Sequence, residues 1–240
     1  MDLTVFEDLG SVLATAFCVL FFGSYAVALF GGRRRLMAAA RWVQELLQPL
    51  GGTAQVRWTA SSAFHITGTE QDPPFQRMVV TVLLKPRDLI AQLVVNRLLR
   101  RNDLLMIRCE LRSQPIWGLE VYRPRTLLSG LAQKEIGVEQ WSETTLTSSE
   151  HRVAHGGGKA EEMCEALLNE LSTDRSKLWR LAVRRHFPHL LLAVDLPEMT
   201  PQEAIRFREL LTRVVLAMQP YSTVVSTPAR EEPEESDVAR

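Results

Sequence analysis

Two histidines are the first residues whose spacing suggests chemistry. His151 and His155 are four residues apart, which would bring two imidazoles together on one face of a helix. Carboxylates and a thiol lie close to them in the sequence: Glu150, Glu161, Glu162 and Cys164. These groups are ligands of transition metals, but the segment between the histidines looks extended and has no HExxH or CxxC motif. We therefore expect polar surface here, and we assign no metal and no cofactor.

A glycine-rich stretch, Gly156 to Gly158 followed by Lys159, precedes a predicted helix. Consecutive backbone N–H groups in such a loop can bind phosphate. A P-loop, however, has its leading glycine four residues before Gly-Lys-Ser/Thr, and Ala160 stands where the magnesium-binding hydroxyl would be. No serine or cysteine nucleophile with a base is recognisable elsewhere. We expect no catalytic residues, and the chain is predicted not to be an enzyme.

Basic residues form a third group. Lys177, Arg180 and Arg184 follow each other at steps of three and four residues, which places them on one face of a helix predicted over 174–186. This face is a candidate contact for a partner protein or for the phosphates of RNA or lipid headgroups. The alternative is that it is only the ordinary charged side of a helix. The basic residues around Pro86 offer a second such surface.

The composition limits the classes of protein to consider. The chain has 240 residues, of which 46% are hydrophobic, and its 28 basic residues balance its 28 acidic ones. This composition excludes a disordered or collagen-like chain, and three cysteines make a disulfide framework implausible. Because the net charge is zero, any electrostatic recognition has to be local.

An apolar segment without charged residues extends over 9–32. About 20 apolar residues suffice for a helix to cross a bilayer, so the sequence predicts a transmembrane helix at 9–32 after a short extracytoplasmic tail, 1–8. Four arginines follow it: Arg33, Arg34, Arg35 and Arg41. They either bind anionic headgroups or only fix the topology, with the C-terminal domain in the cytoplasm. The predicted location is the endoplasmic reticulum in a eukaryote, or the inner or plasma membrane in a prokaryote.

The next elements predict an α+β fold with a mostly antiparallel sheet covered by helices. Leu36, Ala40, Val43, Leu47 and Leu50 form the apolar face of a juxtamembrane helix at 33–50. Alternating residues predict strands at 54–59, 63–69 and 76–84, a helix opened by Pro86, and a hairpin from strands at 103–111 and 116–122. Together with a short helix from Pro124, they define an α+β subdomain at 53–155.

A second, helical subdomain is predicted at 160–220, beyond a boundary at the three glycines. It contains helices at 160–171 and 174–186, an apolar strand at 189–196, and a helix that begins at Pro201. The last segment, 221–240, includes five acidic residues and almost no large apolar ones, which is typical of a disordered acidic tail.

Two stretches resemble the calumin-like single-span proteins of the endoplasmic reticulum, partners of the Asterix intramembrane chaperone at the multipass translocon. One stretch contains LLMIRCEL, GLEVYRP and TLLSGLAQKE before Trp141, and the other runs from Leu190 to Met218. The resemblance implies a role in membrane-protein insertion and no catalytic residues. This sequence lacks that family's long acidic lumenal region and its basic C-terminal coiled coil, so calcium handling and ribosome contact are not implied.

These observations lead to two hypotheses. The first is a non-enzymatic, membrane-anchored adaptor or scaffold whose α+β domain binds another membrane protein or a protein complex. The alternative is a membrane-anchored enzyme or ligand-binding domain that uses the loop from His151 to Lys159. The sequence gives no support for a ribosome or RNA partner and indicates no small-molecule substrate. The alternative requires His151, His155, Glu161 and Cys164 to converge around a pocket.

Overall fold

The computed structural model describes residues 3–85, 102–126, 128–145 and 150–224. Four α-helices lie in these ranges: α1 (Leu3–Leu47), α2 (Ser129–Glu139), α3 (Ala160–Glu170) and α4 (Pro201–Met218). The strands, in chain order, are β1 (Thr53–Ala60), β2 (Ala63–Thr69), β3 (Phe75–Leu83), β4 (Leu104–Leu111), β5 (Ser113–Pro115), β6 (Leu119–Tyr122), β7 (Ser142–Thr145), β8 (Arg152–His155), β9 (Leu178–Val183), β10 (Leu190–Asp195) and β11 (Ser222–Val224). The fold is therefore α+β, as predicted.

Nine strands form one sheet in the order β1-β2-β3-β4-β10-β9-β6-β8-β7, and each neighbouring pair is antiparallel. The alternation that predicted β1, β2 and β3 is confirmed, because these strands follow one another as a meander. The predicted hairpin of β4 and β6 is wrong, since β10 and β9 lie between them. Strand β5 instead pairs with β11 outside the main sheet.

The main core lies between one face of the sheet and helices α1, α3 and α4. The five residues of the predicted apolar face of the 33–50 helix are all buried there. Trp42 packs against Phe207 of α4, and its Nε1 donates to the carbonyl oxygen of Thr200 at 3.0 Å. Thr200 also caps α4, because its Oγ1 accepts from the backbone N–H of Glu203 at 3.3 Å. Each large apolar side chain buried in this core contributes about 1.5–3 kcal/mol.

The predicted transmembrane helix at 9–32 is part of α1, and here the structure corrects the prediction. Among the residues that the structure describes, no helix is long and apolar enough to cross a membrane. Helix α1 instead continues without a break from the predicted span through Arg33, Arg34, Arg35 and Arg41 to Leu47. The single-pass localisation that rested on this helix is corrected with it.

Strands β9 and β10 lie in the middle of the sheet, between β4 and β6, although they follow the predicted boundary at the three glycines. The segments on both sides of this boundary therefore contribute to one sheet. Helix α3 and strand β10 agree with the prediction. The helix predicted at 174–186 is wrong, because a short 3-10 turn, Ser172–Lys177, leads into β9 instead.

Two predicted segments lie outside the described residues. They are the helix opened by Pro86 and the acidic residues of the C-terminal tail beyond Val224.

Candidate functional site

A groove of about 390 Å³ lies at one end of strands β9, β6, β8 and β7. The register places these strand ends in one row, because Leu119 of β6 pairs with both His155 and Val183, and Ser142 of β7 pairs with His155. The residues that continue from these ends line the groove: Trp117, Gly118, Glu139, Gln140, Trp141, Ser142, His155, Gly156, Gly157, Arg184, Arg185 and His186. Aromatic, imidazole and guanidinium groups thus meet in one concavity.

Glycines make room for the two indole rings of the groove. A Cβ atom on Gly118 would lie 2.2 Å from Cζ2 of Trp141, and a Cβ on Gly158 would lie 2.3 Å from Cη2 of Trp117. Gly158 also has a φ of +61°, which side chains rarely tolerate. Both tryptophans are half-buried, so part of each ring remains accessible. The glycines at 156–158, which do not match a P-loop, therefore serve in part to make room for the indole rings.

Arg184, which lines the groove, also belongs to a cluster of four charged residues, Glu120, Glu135, Arg180 and Arg184, which we call the ion-pair cluster. Arg180 donates to both carboxylate oxygens of Glu120, from Nε at 2.5 Å and from Nη2 at 3.2 Å. Arg184 Nη2 donates to Glu120 at 3.3 Å, and both arginines also contact Glu135 of α2. The Glu120 side chain is fully buried, whereas that of Glu135 is 38% exposed.

Burial changes the proton affinity of this cluster. It raises the pKa of the Glu120 carboxyl above its ordinary value, and the hydrogen bond and charge of Arg180, then the charge of Arg184, oppose that rise. Burial also lowers the pKa of Arg184, against the opposite influence of Glu120, while the charge of Arg108 lowers it further. The carboxylates and guanidiniums therefore depend on each other, since an isolated buried charge would be costly.

The three residues of the predicted basic face are separated by the structure. Lys177 is exposed at the end of the 3-10 turn, whereas Arg180 and Arg184 are buried and paired with carboxylates. A helical spacing of three and four does not apply in a strand, where alternate residues share a face. The prediction of one continuous exposed basic face is corrected accordingly. Arg184 does reach the groove, together with Arg185, which is exposed.

The loop residues weighed as metal ligands do not converge. His155 lines the groove, but His151 is buried, with its Nε2 2.9 Å from the carbonyl oxygen of Leu178, to which it can donate. Cys164 packs in the main core, and Glu161 is exposed on α3. Within the described ranges, no three histidine, cysteine or acidic residues form a group that could hold a metal ion.

His189 lies outside this loop and has a structural role, because its Nδ1 accepts a hydrogen bond from the backbone N–H of Leu111 at 3.0 Å.

The arginines predicted to lie next to a membrane are found on α1. Arg33, Arg34 and Arg41 are exposed. Arg35 forms an ion pair with Asp103 at 2.6 Å, and Asp103 also accepts from the backbone N–H of Lys85 at 2.8 Å. Arg35 thus connects α1 to the start of β4.

The other end of the sheet is formed by β1, whose outer edge pairs with no other strand of the described chain. All eight residues of β1 are exposed except Val56, which is half-buried. Val56 and Trp58 face Ile66 and Phe64 of β2 across the pair, and both of these partners are fully buried. Residues directly opposite each other share a face of the sheet, so β1 continues the core face beyond the covering helices.

Sequence reasoning missed Trp117 and Trp141 in the groove and both acids of the ion-pair cluster. A signal existed for Glu120, because it interrupts an apolar strand between Leu119 and Val121. A charged residue in such a strand needs a partner of opposite charge nearby. No local pattern brings residues from four strands together, so the groove itself had no comparable signal.

The chain matches no known protein-family profile, and it also matches no curated protein sequence. The resemblance to calumin-like proteins stays a prediction, and the function has to be argued from the sites themselves.

Proposed function

We propose that the chain is a non-enzymatic adaptor that binds an extended segment of a partner protein along the outer edge of β1. The observation that carries this proposal is the outer edge of β1, which pairs with no other strand among the described residues and whose apolar side chains are exposed next to the buried core. An added strand would pair with the outward backbone groups of β1, a recurrent mode of peptide recognition.

The edge is long enough for a specific complex. Eight residues at about 3.3 Å each give an edge of roughly 26 Å, which is longer than the four-residue β7 at the opposite end of the sheet. Exposed edges of this length normally carry devices that prevent pairing, such as prolines, charges or bulges. Strand β1 contains no proline, and its only such features are Arg57 and the register shift between Trp58 and Ala60 near its end.

The exposed side chains define the chemistry of the partner segment. Trp58 is 48% exposed, and its ring lies 5.4 Å from that of Phe64. With Ala54 and Val56 it forms an apolar row on the core face, while Gln55, Arg57 and Thr59 occupy the opposite face. A partner strand with alternating apolar and polar residues would bury the apolar row and leave its polar residues in water.

The experiment is a selection of peptides from a displayed random library on the immobilised full chain, followed by NMR mapping of the selected peptides. We expect selected sequences with apolar residues at every second position. We expect their binding to shift the amide signals of β1 and to slow the hydrogen exchange of its outward amides. Val56→Lys should weaken binding at least tenfold, because it places a charge in the apolar row.

The matched control is Gln55→Lys, which adds the same charge on the opposite face and should change the affinity less than threefold. The proposal fails if the selected peptides lack the two-residue period, or if they shift signals away from β1. It also fails if β1 of one copy pairs with β1 of another in solution, which sedimentation and exchange protection without peptide would reveal.

A second candidate function is favoured by a separate observation. His155, Gly156 and Gly157 belong to the His151–Lys159 loop and line the groove. They support a ligand-binding role for that loop, without the metal site that the histidine spacing suggested.

A further inference from the structure

We propose that the groove binds a nucleoside phosphate, with the base against Trp141 and the phosphate against Arg185 and His186. This inference rests on the groove at the ends of β9, β6, β8 and β7, and it is independent of the proposal for β1.

The aromatic end of the groove is built to hold a ring. The Trp141 indole lies over Gly118 and Gly156, where any Cβ atom would approach it to 2.2 and 3.2 Å. The backbone at Gly118 and Gly156 therefore holds one side of the Trp141 ring in place. Because Trp141 is only half-buried, part of its ring surface remains open to the groove. Stacking a nucleobase on such a ring contributes about 1–3 kcal/mol, whichever base it is.

The basic end of the groove follows β9. Arg185 is exposed, and its Nε donates to the carbonyl oxygen of Ile116 at 2.6 Å, which fixes the guanidinium and leaves its terminal nitrogens available. Within the described part of the chain, Arg185 forms no ion pair with a carboxylate, in contrast to Arg184, which pairs with Glu120. His186 is exposed beside it. A guanidinium that is held in place but not neutralised is suited to bind phosphate oxygens.

The distance between the two ends selects the ligand. Arg185 and His186 follow β9, whereas the Trp141 ring lies over Gly118, which precedes β6, and over Gly156, which follows β8. Strands β6 and β8 are one and two positions from β9, so roughly 5–10 Å separates the two ends, at about 4.8 Å per strand. A ligand with a ring at one end and an anion at the other fits this span. Glu139 and Ser142 on the wall can accept from or donate to sugar hydroxyls. A volume of about 390 Å³ lies in the usual range for small-molecule sites.

The experiment follows the indole N–H signals of the ¹⁵N-labelled full chain during titration with AMP, adenosine, inorganic phosphate and a 5′-phosphorylated oligoadenylate. AMP should shift the signals of Trp117 and Trp141 but not that of Trp42, which is 2% exposed in the core. Adenosine and phosphate should each bind at least tenfold more weakly than AMP, because each meets only one end of the groove. If the oligonucleotide binds more tightly than AMP and shifts the signals of the same two tryptophans, the natural ligand is the 5′ end of a nucleic acid and not a free nucleotide.

The variants test each end separately. Arg185→Gln should raise the Kd of AMP at least tenfold, whereas the control Arg208→Gln, at a half-buried arginine of α4 that does not line the groove, should leave it unchanged. Trp141→Leu should weaken AMP binding and Trp141→Phe should largely restore it, with the Trp117 signal as the reporter. The proposal is wrong if about 5 mM AMP, well above a millimolar Kd, shifts neither signal. It is also wrong if Arg185→Gln binds AMP as tightly as Arg208→Gln does.

Discussion

Arg57 and Arg180 stand in similar local sequences and in opposite environments. Arg57 lies between Val56 and Trp58 in β1, and Arg180 lies between Trp179 and Leu181 in β9. Arg57 is exposed at the edge of the sheet, whereas Arg180 is 2% exposed and bonded to Glu120. Position in the sheet order therefore decides the environment of a strand residue, and the immediate neighbours in the sequence do not.

The same contrast extends to the stability and the use of the two regions. At the centre of the sheet, the buried charges of Glu120, Arg180 and Arg184 offset one another, so changes there should destabilise the protein strongly. At the β1 edge, side chains have few neighbours to lose, so changes there should mainly affect binding. This difference between the regions can be measured directly.

The largest effect is expected for Glu120→Ala. The substitution leaves Arg180 buried without its main partner, and breaking a buried pair in this way costs about 3–5 kcal/mol in the free energy of unfolding. Urea denaturation followed by circular dichroism would measure the loss.

The matched comparison is Glu170→Ala, which removes the ion pair that Glu170 forms with Arg213, between side chains that are 37% and 52% exposed. Exposed pairs of this kind contribute up to about 1 kcal/mol. Equal losses for the two variants would mean that the ion-pair cluster is effectively solvated. Adding Arg180→Met to Glu120→Ala should recover part of the stability, because the unpaired charge is then removed.

The elements that the sequence predicted best are those whose pattern is local. Strands β1 to β3 follow from alternation, and α4 follows from Thr200, Pro201 and an apolar stripe. The buried face of the α1 segment at 36–50 follows from its helical spacing. In each case, the signal lies within one element or two consecutive ones, so no knowledge of the tertiary structure was needed.

The failures have a common physical cause. The segment from Leu178 to Val183 was predicted as part of the helix at 174–186, but it is a strand whose partners in the sheet are distant in sequence. Arg180 is stable in a buried strand because Glu120, 60 residues earlier, lies beside it. The groove depends on the same long-range pairings, which is why the candidate site was mostly missed.

A medium effect is expected from a pair of substitutions on opposite sides of the β1–β2 ladder. Ile66 and Val56 face each other, but Ile66 is fully buried and Val56 is half-buried. Ile66→Ala should cost about 2–4 kcal/mol, because it leaves a cavity in the core, whereas Val56→Ala should cost less than about 1 kcal/mol. Denaturation midpoints of the two variants would test this. Similar losses would show that β1 is as tightly packed as the centre of the sheet and would weaken the case for a free binding edge.

The smallest effect concerns His189, at the start of the central strand β10. Burial lowers the pKa of His189, and its Nδ1 has to be unprotonated to accept from the N–H of Leu111. The unfolded chain therefore binds a proton at higher pH than the folded chain does. Stability from this residue is complete above about pH 6.5 and is lost as the pH falls toward the lower folded-state pKa.

The hydrogen bond from Leu111 contributes about 1 kcal/mol, which sets the expected size of the pH-dependent loss. His189→Asn keeps an acceptor oxygen near the position of Nδ1 but does not titrate. The free energies of unfolding of the two proteins, measured between pH 5 and pH 8, should differ by an amount that changes with pH. The two proteins differ only at position 189, so the pH-dependent part of the difference reports on this residue in its surroundings. Parallel curves would show that His189 is protonated equally in both states, and the central end of the sheet would then be as open to solvent as β1.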